Sequence, residues 1–182
     1  RLILAETARQ NDPSHPDWTT NGAGFAINHD YGFGVVDAAA AVALAATWTP
    51  VADLTLVQTP LIGVNQAIPD NNTTGVSVPV TVTNSGLSAL EFVHVFVDAP
   101  SHTFWADLEI TLQSPAGTIS RLAVPHAAAG ATPLTPPLSN WRFGSARHLG
   151  EAANGTWTVR VRDLLPGDSG TLASVRLQFY GR

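Results

Sequence analysis

The chain has 182 residues, of which 45% are hydrophobic and 13% are charged, a composition typical of a globular protein and not of a disordered one. It contains no cysteine, so disulfide bonds and thiolate metal sites are excluded. All nine basic residues are arginines and the formal net charge is −5, so the chain lacks the basic field that nucleic-acid binding requires. Its longest apolar run, residues 38–46, is too short to span a bilayer.

Residues 1–48 are predicted to form a helix, a loop and a second helix. Apolar residues within 2–8 fit a short helix packed on one side, and the Asn-Asp-Pro sequence at 11–13 ends it. A polar loop with glycines follows, as far as about residue 29. The second helix is predicted from about 35 to 47, with valine, leucine and alanine on most of its sides.

A helix that is apolar on most sides must be buried on most sides. Residues 1–48 offer too little surface to cover it, so we expect its partner to be a larger body that precedes this chain. The first residue is Arg1 and the chain has no methionine. We therefore expect the sequence to be part of a longer protein.

After Pro50 the pattern changes to strands and turns. Pro79 lacks an amide donor, which places its strand at a sheet edge or a bulge. The loop 125–137 is too long for a hairpin and is predicted to cross between two sheets. Seven to nine short strands with turns between them predict a β-sandwich or jelly roll. The alternation of apolar and polar residues is clearest at 76–82, 93–97, 108–112, 119–122, 157–161 and 175–179.

Two blocks in the first part resemble the end of a subtilisin-like catalytic domain. RLILAETARQND, residues 1–12, is similar to the closing helix that follows the catalytic serine in kexin- and furin-like proteases. NHDYGFGVVDAAAAVALAATW, residues 28–48, is similar to the segment where the protease domain joins the P domain. The resemblance implies that residues 1–50 are the helical remnant of an α/β catalytic domain.

Three further blocks resemble the P domain of the same family. They are AIPDNNTTGVSVPVTV at 67–82, SHTFWADLEITLQSPAGTISRL at 101–122 and GEAANGTWTVRVRDLLPGDSGTLASVRLQFYG at 150–181. The resemblance implies that residues 51–182 form a P domain. Such a domain is mainly β, a jelly-roll sandwich of the galactose-binding-like kind.

The family's catalytic aspartate, histidine and serine would all precede Arg1, so we assign no catalytic residue to this chain. Its three Gly-Thr pairs are not followed by serine. The resemblance implies a non-catalytic region of a secreted or extracellular serine endopeptidase. Its partner would be the catalytic domain of the same protein, which the P domain would help to fold and stabilise. Proteins and peptides would be the parent's substrates, and no nucleic acid or membrane span is expected.

Another triad is conceivable, because His102 lies near Ser101 and Asp107 in the sequence. We favour a structural role, in which His102 and Asp107 anchor the loop that enters the 108–112 strand. His126 and His148 are predicted to lie in exposed loops.

Calcium is the cofactor for which the residues offer some support. Asp163 and Asp168 bracket a turn, and Glu151 and Asp107 could converge on it, since calcium binds oxygen ligands on loops. The alternative is that these carboxylates bind nearby backbone amides in turns. No EF-hand spacing is present.

The tryptophans raise a second function, binding of a carbohydrate or a cell-surface partner. Trp157 alternates with core valines and Trp48 ends the apolar helix. Trp105 and Trp141 are therefore the candidates for an exposed sugar-binding surface.

Overall fold

The computed structural model describes residues 1–128, 133–134 and 136–182. In the described part of the chain, two helices and a two-stranded hairpin precede nine longer strands. None of the described helices is long and apolar enough to cross a membrane. The N-terminal elements are α1 (Leu2–Glu6), β1 (Thr19–Thr20), β2 (Ala26–Ile27) and α2 (Ala38–Ala45). The remaining strands are β3 (Thr55–Gln58), β4 (Ile62–Ile68), β5 (Val76–Val82), β6 (Leu90–Ala99), β7 (Leu108–Gln113), β8 (Ile119–Ala123), β9 (Leu138–Ser145), β10 (Gly155–Asp163) and β11 (Gly170–Gly181), with a 3₁₀ turn at Trp105–Asp107.

The nine longer strands form two antiparallel sheets that pack face to face. One sheet has the order β5-β10-β7-β8, and the other has the order β3-β11-β6-β9, with β4 also paired to β11. The prediction of a mainly β sandwich is confirmed. β3 begins shortly after the predicted boundary between residues 1–50 and 51–182, a division that stays a prediction.

The core lies between the sheets, where the alternating residues of each strand meet. In β10, Trp157, Val159 and Val161 are fully buried, as the alternation predicted. Pro79 lies opposite Thr158 in β5, the outermost strand of its sheet, so the predicted edge position is confirmed. An edge strand tolerates proline because one side of it has no ladder to complete.

Both helices are shorter than predicted. The second helix was expected from about 35 to 47, but the Asp37 carboxylate caps it by accepting the N–H of Ala40 at 2.9 Å. Val35 instead forms an isolated bridge with Arg9, through N–H to O distances of 3.0 and 2.8 Å. An N-capping aspartate fixes where a helix starts, because its side chain replaces the missing intrahelical acceptor.

The sequence pattern did not predict three of the strands, namely β3, β4 and β9. Their burial does not alternate regularly, and Leu56 of β3 and Trp141 of β9 are exposed although apolar, so the period of two is weak. Asn65 and Asn140 have positive φ within β4 and β9, which interrupts the regular pleat. β8 and β9 belong to different sheets, so the loop between them crosses as predicted. Residues 129–132 and 135 of that loop lie outside the described residues.

Candidate functional site: the junction of the N-terminal segment and the sandwich

Residues 1–48, called here the N-terminal segment, are anchored to the sandwich by a buried amide. The Nδ2 of Asn21 donates to the carbonyls of Arg147 and Leu149, both at 2.9 Å. Its Oδ1 accepts the N–H groups of Ala23 and Phe25, both at 3.0 Å. The Asn21 side chain therefore stabilises the turn in which it lies and also binds the loop that follows β9.

A buried carboxylate forms the second anchor. Glu151 accepts the backbone N–H of Gly22 at 2.8 Å and the hydroxyl of Thr118, and its other oxygen lies 3.5 Å from Nδ1 of His148. Burial raises the pKa of this carboxyl, but the contacts with His148, Thr118, Ser114 and the Gly22 amide outweigh it and lower the pKa to about 2. Glu151 is thus ionised at any physiological pH and holds the N-terminal segment by charge-assisted hydrogen bonds.

His148 was predicted to be exposed, and this is wrong. Its side chain is 1% exposed and its ring meets Trp157 edge to face, with centroids 4.9 Å apart. The turn that follows β9 folds inward to cover the end of the core, which local sequence alone does not indicate.

A third anchor joins the N-terminal segment to β8. Asp17 pairs with Nη2 of Arg121 at 3.1 Å and with Nδ1 of His29 at 2.8 Å. Nε2 of His29 in turn accepts the backbone N–H of Arg121 at 3.0 Å. Asp17 and His29 both lie in the polar loop between the two helices, and both bind Arg121 of the sandwich.

A fourth anchor brings the two ends of the chain together. The buried carboxylate of Glu91, at the start of β6, pairs with the guanidinium groups of both Arg1 and Arg182. Burial raises the pKa of Glu91, but the contacts with Arg182 and Arg1 outweigh burial, so the net shift of the pKa is downward. The first and last residues therefore share one anion.

Sequence reasoning missed these anchors, apart from naming Glu151 for another purpose. Each is a pairing between residues about 90 to 130 positions apart, which no local pattern encodes. The only hint was the density of polar residues with glycine in the loop 13–29.

In contrast to this polar junction, the helical side of the N-terminal segment exposes apolar residues. Only Ala41 of α2 is buried, whereas Val42 is 73% exposed and Val36 is 55% exposed. Val35 and Leu4 are also exposed. Leu4 and Val36 line one shared apolar depression, and an exposed apolar surface of this kind is typical of an interaction site.

The predicted calcium residues divide between the two ends of the sandwich. Asp107 and Asp163 face each other where β7 begins and β10 ends, with Asp168 near them, whereas Glu151 lies at the junction. In the described ranges, no three His, Asp or Glu side chains are grouped closely enough to hold a metal ion. Calcium binding stays a prediction.

At that far end the carboxylates bind groups of the protein. Asp163 is fully buried and lies 3.2 Å from Nε2 of His102, and Asp168 accepts the hydroxyl of Thr103 at 2.6 Å. Burial raises the pKa of Asp107, and the carboxylates of Asp163 and Asp168 raise it further.

The geometry does not support a triad of Ser101, His102 and Asp107. His102 is directed to Asp163, and the Ser101 hydroxyl accepts the N–H of Thr171 at 3.0 Å. A nucleophile needs its base within hydrogen-bonding reach. His102 thus pairs with Asp163 and not with Asp107, and the structural role that was favoured stays a prediction.

The two candidate tryptophans line one apolar cavity of about 290 Å³ between β8 and β9. Trp141 is 46% exposed, whereas the indole N–H of Trp105 donates to the carbonyl of Pro136 at 3.1 Å. The indole N–H of Trp105 therefore already has an acceptor within the protein. The sugar-binding alternative stays a prediction.

Comparison with known proteins identifies the β-sandwich. The family described as the proprotein convertase P-domain matches residues 90–179. Proprotein convertase subtilisin/kexin type 7 of Mus musculus is 34% identical over 186 residues, which cover 98% of this chain and 24% of the relative. Furin of Rattus norvegicus is 32% identical over 189 residues, which cover 98% of this chain and 22% of the relative.

Among solved structures, a serine protease of Aeromonas sobria in complex with its chaperone superposes with a TM-score of 0.82 at 27% identity, covering 99% of this chain and 39% of that one. The chain thus spans about a quarter of the curated relatives and well under half of the solved protease. These matches include the N-terminal segment as well as the sandwich. The chain therefore belongs to the proprotein convertase P-domain family, as the C-terminal part of a kexin- and furin-like subtilase.

Proposed function

We propose that this chain is the non-catalytic C-terminal region of a secreted kexin-like serine endopeptidase, and that its P domain supports the folding and stability of the catalytic domain. The parent protein would hydrolyse peptide bonds in protein and peptide substrates with a serine, a histidine and an aspartate that precede Arg1. This chain contributes no catalytic group to the reaction.

The observation that carries the proposal is the contrast between the two sides of the N-terminal segment. One side is tied to the sandwich by Asn21, Gly22 and His29. The other side exposes Val36 and Val42. A segment fixed on one side and apolar on the other is suited to join the sandwich to a second folded body.

The energetic argument follows from burial. Full burial of a valine side chain contributes roughly 1.5–3 kcal/mol, so a few such residues outweigh much of the marginal stability of a domain. The polar anchors fix the orientation of the segment, because hydrogen bonds between fixed groups set the orientation in which the two bodies meet. The P domain would thereby stabilise the catalytic domain without touching its substrate.

The test is a charge placed on the exposed helix. Val42→Asp in the full-length parent should lower the yield of folded, active protease and shorten its half-life on heating. In the 182-residue chain the same change should shift stability by less than about 0.5 kcal/mol, because Val42 is exposed there.

Leu165→Asp is the matched control, since Leu165 is 45% exposed in the turn after β10, at the end of the sandwich away from the junction. It should leave the parent's yield and heat resistance unchanged. Equal effects of the two changes in the parent, or none from Val42→Asp, would contradict the proposal.

A further inference from the structure

β8 is the last strand of its sheet, paired with β7 on one side only. The outer backbone groups of an edge strand are ordinarily left to water. Here the N–H of Arg121 in β8 donates to Nε2 of His29 at 3.0 Å. A side chain of the N-terminal segment therefore accepts an outward N–H group of the sandwich edge.

This contact fixes the protonation state of the imidazole. Nε2 accepts a backbone N–H, so it carries no hydrogen. Nδ1 lies 2.8 Å from Oδ2 of Asp17, which can only accept, so Nδ1 carries the hydrogen. The arrangement requires neutral His29 in a single tautomer, because a proton on Nε2 would face the N–H of Arg121 as donor against donor.

The charged groups around the ring also favour the neutral form. Among the described residues, Asp17 is the anion that contacts the ring, and it is shared with the guanidinium of Arg121, whereas the neighbouring Asp30 lies 3.5 Å from Nε2 of His15. Arg121 on β8 and Arg147 on the turn after β9 are the two cations. Burial lowers the pKa of His29, and Arg147 and Arg121 lower it further, against the opposing effect of Asp17. The ring is 16% exposed, so protons reach it from solvent.

We propose that His29 is a proton-sensitive joint between the N-terminal segment and the sandwich. The neutral ring holds the loop 17–29 against β8. Uptake of a proton removes the acceptor of the Arg121 N–H and adds a positive charge beside Arg121 and Arg147, so the loop separates from the strand edge. The joint is closed at neutral pH and opens as the solution becomes acidic.

The sign of the effect follows from linkage. A histidine with a lowered folded-state pKa contributes its stabilisation in full above its ordinary value of 6.5. That contribution is lost as the pH falls from 6.5 through the lower folded-state value. This inference concerns a contact within the chain and goes beyond the proposed function, so either can fail without the other.

The experiment is amide hydrogen exchange of the 182-residue chain, read at the Arg121 N–H at pH 7.5 and pH 5 and corrected for intrinsic exchange. We expect protection at this amide to fall at least tenfold at pH 5. The loss should follow the titration of the His29 ring measured by nitrogen NMR, which should also show hydrogen on Nδ1 at pH 7.5. Following that ring separates its effect from the other histidines.

Two variants complete the test. His29→Gln should show weak protection of the Arg121 amide at both pH values, whereas His126→Gln, a change at an exposed histidine, should behave like the unmodified chain. If His29→Gln does not fold, the titration of the unmodified chain decides alone. Unchanged protection between the two pH values, or a hydrogen on Nε2 of His29 at pH 7.5, would overturn the proposal.

Discussion

The backbone N–H of Gly22 donates to the carboxylate of Glu151 at 2.8 Å, across 129 positions of sequence. Glu151 is 4% exposed, so a buried charge in the sandwich is neutralised in part by a main-chain dipole of the N-terminal segment. Separating the two regions would leave that charge short of donors in a low-dielectric site, which is costly. The P domain and the segment before it are therefore coupled in their stability.

Gly22 should tolerate no side chain. A Cβ at this position would lie 2.3 Å from the Cβ of Ala116 and 3.2 Å from Oε1 of Glu151. Gly22→Ala is expected to destabilise the chain by about 1–3 kcal/mol, because the segment must shift away from its anchor. Urea unfolding measures the loss. Adding Ala116→Gly removes the nearest obstacle and should restore at least half of the stability; a double variant as unstable as the single one would show that crowding is not the cause.

Glu151→Ala should be more damaging. The change removes the acceptor of the buried Thr118 hydroxyl and one of the two acceptors of the Gly22 N–H, the other being the Thr118 hydroxyl oxygen. We expect a loss of about 2–4 kcal/mol in the free energy of unfolding. Asp53→Ala, at an exposed position, is the control and should change stability by less than about 0.5 kcal/mol. Similar losses in both variants would mean that the charge network is not what stabilises the junction.

The low pKa of Glu151 also predicts an acid transition. Its folded-state pKa is about 2 against an ordinary value of 4.5, so the group stabilises the fold in full above pH 4.5 and loses that contribution as the pH falls to about 2. The loss amounts to about 3 kcal/mol over this window. Urea titrations at several pH values should show the slope, and Glu151→Gln should flatten it. A slope that persists in the variant would assign the transition to other carboxylates.

The sequence predicted the sandwich better than the junction, for a physical reason. Strands such as β5 and β10 alternate because one face is buried, and that period is visible locally. The partners of Glu151 and His29 lie on distant elements, so their roles depend on how the chain closes. Asp107 shows the same limit, since its nearest anionic neighbours, Asp163 and Asp168, arrive from the far end of β10.

Asp107→Asn should stabilise the chain at neutral pH. Burial and the carboxylates of Asp163 and Asp168 raise the pKa of Asp107, so the folded state favours its protonated form. The contribution of Asp107 to the stability of the fold is therefore largest below pH 3.8, the ordinary pKa of this carboxyl. That contribution is lost as the pH rises through the raised folded-state pKa. The amide variant removes the repulsion, and its melting temperature should exceed that of the unmodified chain at pH 7.

The same measurement repeated with calcium tests the predicted metal site. Calcium bound at the predicted residues, which are Asp107, Glu151, Asp163 and Asp168, would raise the melting temperature of the unmodified chain, and Asp107→Asn would then reduce the rise. Absence of any rise at millimolar calcium would remove the metal prediction and leave the repulsion of carboxylates as the whole effect.

Trp157 should be the most sensitive position in the core. Its side chain is fully buried, packs on His148 and Phe179 with centroids 4.9 and 5.1 Å away, and donates its indole N–H to the carbonyl of Ala153 at 2.8 Å. Trp157→Ala leaves a large cavity and an unpaired carbonyl, so we expect a loss of about 3–5 kcal/mol. Trp141→Ala makes the same change at a site that is 46% exposed and should cost about 1 kcal/mol or less.

The loss of Trp157 should also affect the junction, because its ring touches His148. In Trp157→Ala, hydrogen-exchange protection of the Gly22 amide should fall at temperatures where the sheets remain folded. Normal protection of that amide would show that the junction does not depend on the core beside it.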